Sequence, residues 1–96
     1  MKDKIIEILK TIEDPELMLD IWFVGLIYKV DVNEDDGNVY IEMTFTTPLC
    51  PAGPDMVNEV YEKVGKLEGV SSVEVKVVFD PPWQPSEELK GMLGLA

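Results

Sequence analysis

The 96-residue chain contains no histidine. That absence removes the side chain that titrates nearest neutrality, and with it the usual general base, the Cys–His pair and the commonest transition-metal ligand. Cysteine occurs once, as Cys50. No intramolecular disulfide can form, so the core alone must hold the fold, as expected in a reducing compartment. Basic residues are scarce: 8 Lys and Arg against 19 Asp and Glu give a formal charge of −11, which repels phosphate backbones and anionic bilayers. Neither nucleic acid nor a membrane is therefore expected as a partner, and the acidity serves solubility or a docking surface for a basic partner. No apolar run approaches the roughly 20 residues that cross a bilayer. The opening MKDKIIEILK has no signal-peptide apolar core or cleavage site, so the expected location is the cytoplasm. A phosphate-cradling glycine loop and a dinucleotide fingerprint are missing as well.

What is present fits one domain, residues 1–96, with 46% apolar and 28% charged residues, the balance of a folded globular chain. Ile5, Ile8, Leu9 and Ile12 recur at helical spacing, predicting an amphipathic helix over 2–12 that stops near Asp14-Pro15. Alternation from Gly25 to Val32 places Leu26, Tyr28, Val30 and Val32 on one side of a first strand and Ile27, Lys29 and Asp31 on the other. A turn at Asp36-Gly37 leads into a second strand, with Val39, Ile41, Met43 and Phe45 inward and Tyr40, Glu42, Thr44 and Thr46 on the polar side. Gly53-Pro54 starts a helix whose buried face is Val57, Val60, Tyr61, Val64 and Leu67. Val73, Val75, Val77 and Phe79 mark a third strand, and Ser86 caps a short last helix.

The predicted order is helix, strand, strand, helix, strand, short helix. The resulting fold class is α/β in the two-layer α+β sense: a three-stranded mixed sheet, second strand central, with helices on one face. This order also resembles RNA-binding KH-type modules. Their GxxG backbone clamp is absent here, however, and the charge has the wrong sign.

Cys50 follows a strand and precedes a helix start in a loop stiffened by Pro48, Pro51 and Pro54. A helix N-terminus favours the thiolate, the form that binds metals and attacks electrophiles. A small buried thiol fits the same position. Asp14 in the DPE segment is either a carboxylate ligand or a turn residue. Glu42, Thr44 and Thr46 form either a polar shelf leading to Cys50 or a plain solvated face. Trp22, Phe23 and Trp83 lie near chain bends, where they plug the ends of the sheet or offer a partner an apolar patch.

DPEL at 14–17, GLIYKV at 25–30, the DG turn, MTFTTPLCP at 43–51 and FDPPW at 79–83 together resemble the metal-sulfur cluster assembly factor family. That family includes SufT-like and PaaD-like proteins and the targeting component of cytosolic iron-sulfur assembly. The resemblance implies a non-enzymatic factor that delivers or inserts iron-sulfur clusters into client apoproteins together with the assembly machinery. It makes Cys50 the cluster or metal contact, with Asp14, Thr44 and Thr46 in support. Two positions depart from the family pattern: Leu49 replaces a small residue in TTPLCP, and Phe23 stands where an acid is usual.

One thiol cannot complete a cluster that commonly takes four protein ligands. Any cluster is therefore expected to be transient, its ligation completed by a client, a small thiol or a second subunit in a homodimer. The alternative reading is a metal-free adaptor that recruits clients through Trp22, Phe23, Trp83 and the acidic surface.

Overall fold

The computed structural model describes residues 1–15, 17–46 and 51–94. Helix α1 spans Lys2–Leu9 and buries Ile5 and Leu9, which lie four residues apart on one face. It ends earlier than the apolar spacing predicts. The Thr11 hydroxyl and N–H both turn back on the Ile8 carbonyl, at 2.6 and 2.9 Å, and tighten the last turn. Ile12, past the helix, is still fully buried.

A small arm follows that the periodicity did not predict: β1, Glu13–Asp14, pairs antiparallel with β2, Leu19–Asp20. Directly after it comes α2, Ile21–Val24, also unforeseen. The Asp20 carboxylate accepts the Phe23 N–H at 2.8 Å and caps its start. Gly25, at φ 88°, supplies the left-handed residue that ends it.

The main sheet comprises β3 (Ile27–Asn33), β4 (Asn38–Met43) and β5 (Ser72–Val77) in the order β3-β4-β5. As expected, the second of these strands is central; β3 pairs with it antiparallel and β5 parallel. A bulge between Ile27 and Lys29 breaks the alternation predicted for β3. Ile27 therefore pairs with Met43 and packs against the core, whereas Tyr28, expected inside, sends its hydroxyl to the Pro81 carbonyl at 2.9 Å.

Helix α3, Gly53–Gly65, starts at Gly53-Pro54 as predicted. Its fully buried stripe is Gly53, Met56, Val60 and Val64, while Val57 and Leu67 pack at the margin. Tyr61, expected in the core, is 39% exposed, and its hydroxyl accepts the Val75 N–H at 3.0 Å on the outer edge of β5. The Ser86 hydroxyl caps α4, Glu87–Leu93, by accepting the Leu89 N–H. Leu89 joins Ile5 and Leu9 of α1, Val60 and Val64 of α3 and Ile41 of β4 in one core, so the helices cover one face of the sheet. No helix among the described residues is long and apolar enough to cross a membrane.

Candidate functional site

Because β4 and β5 run parallel and β3 antiparallel to them, one end of the sheet gathers the exits of β4 and β5 and the entry to β3. Segments from five parts of the chain meet there: the β1–β2 arm, α2, Thr44–Thr46, the start of α3 and the 79–83 segment. Backbone hydrogen bonds bind them. The Ile21 N–H reaches the Ile12 carbonyl at 2.8 Å, Leu26 N–H reaches the Ile21 carbonyl at 3.0 Å, and Thr44 N–H reaches the Leu26 carbonyl at 2.8 Å. Trp83 adds a side-chain strut, its Nε1–H donating to the Val24 carbonyl at 2.9 Å.

Asp14 is fully buried at this end. Its backbone carbonyl accepts the N–H groups of Leu17 and Met18, so the DPEL segment does form a turn, closed on the residue that opens it. Of the two local readings of Asp14, the turn is the one formed here; its side chain is fully buried.

Thr44 departs from expectation. Regular pairing ends at Met43, so the strand's alternation lapses, and Met43 and Thr44 are buried in succession. Its Oγ1 lies 3.4 Å from the Phe45 carbonyl, which it faces as donor. The exposed shelf of Glu42, Thr44 and Thr46 therefore does not exist. Thr46 is half-buried, and Glu42 is engaged by the Tyr40 hydroxyl at 2.7 Å. That hydrogen bond to a carboxylate, aided by partial burial and the nearby charges of Glu42, Glu74 and Asp31, pushes the Tyr40 phenol up to about 12.

Cys50 and Leu49 lie outside the described residues, between Thr46 and Pro51. Just beyond them α3 opens with Ala52 at its N-cap, which provides no side-chain hydrogen bond. Its first-turn N–H groups and positive dipole end accordingly favour a negative group nearby.

Among the described residues no three His, Cys, Asp or Glu side chains converge to hold a metal ion. Asp14 is a hard oxygen donor, poorly matched to cluster iron beside thiolates. The described side chains alone do not form a cluster cradle.

The aromatics divide. Phe23 and Trp83 pack on the core and close the end of the sheet, but Trp22 and Phe79 remain 37% and 44% exposed. Reasoning from spacing missed α2, which joins the arm to the Thr44 end, although Asp20 and Gly25 carried its signal.

A family model for iron-sulfur cluster assembly protein matches residues 2–77. The Fe-S protein maturation auxiliary factor of Porphyromonas gingivalis is 38% identical over 97% of this chain and 90% of its own length. YitW of Bacillus subtilis, which bears the same description, is 42% identical over 86% of this chain and 80% of its own. A conserved hypothetical protein from Thermotoga maritima has a solved structure that superposes with a TM-score of 0.85 at 40% identity, covering 98% of this chain and 94% of the other.

Proposed function

The chain belongs to the iron-sulfur cluster assembly protein family, and from that membership we propose that it serves iron-sulfur protein maturation as a carrier or adaptor rather than as an enzyme. The observation that carries the reading is the extent of the family match: residues 2–77 include Asp14, Thr44, Thr46 and Cys50 and every strand of the main sheet. Relatives described as Fe-S protein maturation auxiliary factors support it.

In this reading the iron-sulfur cluster is cargo. Cys50 supplies one thiolate, and the partner that gives or receives the cluster supplies the rest. Transfer is ligand exchange: a client thiolate displaces Cys50 at iron with no change in oxidation state. The start of α3, whose N-cap Ala52 lies two residues further along the chain, has no side-chain cap, and a helix N-terminus of that kind favours a negative group nearby. Asp14 and Thr44, both fully buried, belong to the rigid end of the sheet from which the chain continues toward Cys50. The partners are client apoproteins and the assembly machinery, in the cytoplasm.

The test is anaerobic reconstitution of wild type and Cys50→Ser, with iron and sulfide counted per chain and transfer to an apo ferredoxin followed. The variant is expected to lose bound iron and transfer together. Equal loading and equal transfer by both proteins would remove Cys50 from the reading.

The exposed Trp22 and Phe79 favour a second reading, a metal-free adaptor that holds clients by contact alone. It requires client capture to survive Cys50→Ala in metal-free buffer.

A further inference from the structure

The two edges of the main sheet are not alike. On β5 the Tyr61 hydroxyl accepts the Val75 N–H that faces away from β4. Among the described residues no hydrogen bond from another element reaches the backbone of Ile27–Val32 on the side of β3 away from β4. Two open depressions flank that edge, one of about 370 Å³ near the start of α1 and one of about 310 Å³ beside Trp22 and Tyr28. Both are lined by Val30, which faces the core, and Asp31, which faces outward, so they straddle the strand's free edge. An unpaired edge is a template for a further strand.

Charge selects the occupant. Lys29 and Asp31 are 52% and 59% exposed and 3.4 Å apart along the strand. An edge lysine deters strands in general, because its charge must be met. In an antiparallel pair, residues directly opposite share a sheet face, so a two-fold axis must pass through a residue. An axis at Lys29 sets Lys29 against its own copy, and an axis at Asp31 does the same to Asp31. An axis at Val30, the middle of the seven-residue strand, sets Lys29 opposite Asp31 of the partner twice and Val30 opposite Val30.

The geometry points to a second copy of this chain as the partner of β3, paired about Val30 into a continuous six-stranded sheet. The contact is short and each chain carries −11, which places the dimer in the weak, concentration-dependent class. Because the pairing is antiparallel, the two Thr44–Thr46 ends lie at opposite ends of the joined sheet. This dimer does not bring two cargo sites together, and it stands or falls independently of the role of Cys50.

Sedimentation velocity over a micromolar-to-millimolar series tests it. Wild type is expected to shift toward twice its 10.8 kDa mass. Lys29→Asp and Asp31→Lys, each checked by circular dichroism, are each expected to lose that shift, because each opposes like charges. The double variant, and an equal mixture of the two single variants, are expected to regain it. A wild type that stays monomeric throughout, a dimer indifferent to either single variant, or a mixture that fails to associate overturns the proposal.

Discussion

Gly53→Ala sets two effects against each other at the start of α3. Alanine is the better helix former, by up to about 1 kcal/mol in a helix interior and less at the first position. Against this, a Cβ on Gly53 would lie 2.5 Å from Phe45 Cε2 and 2.6 Å from Cζ, well inside contact distance. A ring free to swing would absorb that at little cost. The Phe45 ring is not free: it packs on the core and meets Phe79 edge-on, with centroids 6.0 Å apart. Overpacking of this kind costs about 1–3 kcal/mol, so the net destabilisation is about 0.5–2.5 kcal/mol, a drop in Tm of about 2–20 °C for a domain this size. Thermal and urea unfolding followed by circular dichroism measure it. In a Phe45→Leu background, where the ring is gone, the same change is expected to be neutral or stabilising, giving a coupling of about 1 kcal/mol or more. A Gly53→Ala protein that melts above wild type would refute the account of a pinned ring.

Trp83→Phe keeps most of the packing but removes the donor to the Val24 carbonyl, whose residue is 2% exposed. It should cost about 1–3 kcal/mol, whereas Trp22→Phe, at an exposed ring, should stay within about 0.5 kcal/mol; equal melting of the two variants would count against the strut. Tyr40 gives a pH signature. Its folded pKa, about 12, lies above the unfolded value of 10.0, so the folded state holds a proton that the unfolded state loses as pH passes 10. The contribution is fully present below pH 10 and falls away between 10 and 12. Phenolate absorbance should accordingly show one late-titrating tyrosine, lost in Tyr40→Phe, whose stability should also vary less over that range.

The three main strands and the starts of α3 and α4 were legible because each rests on a repeated or local signal: alternation for the strands, Gly53-Pro54 and Ser86 for the helices. The β1–β2 arm was not, since two-residue strands carry too few positions to show a period. The bulge at β3 inserts a residue that resets parity, and nothing in Ile27-Tyr28-Lys29 announces where the count slips. Thr44 shows the related limit at a strand's end: alternation describes a paired strand, and once pairing stops the side chain follows the next hydrogen bond, here to Leu26. Asp14 could be picked out as a residue of interest from its motif. Its complete burial follows from the arm and α2, which spacing did not reveal.

If copies of this chain pair through β3 as proposed, Tyr61 bears on how large the assembly can grow. A sheet that offers two open edges can add copies at both and lengthen into a fibre. Here the outer edge of β5 already gives its central N–H to a phenol held by α3, a side chain that no incoming strand displaces without breaking an internal bond. In the proposed dimer, pairing through β3 would use that edge of each copy and leave at the outside the two β5 edges where Tyr61 already holds the Val75 N–H. Growth of the proposed assembly would then stop at two, and Tyr61→Phe would free the Val75 N–H on the far side.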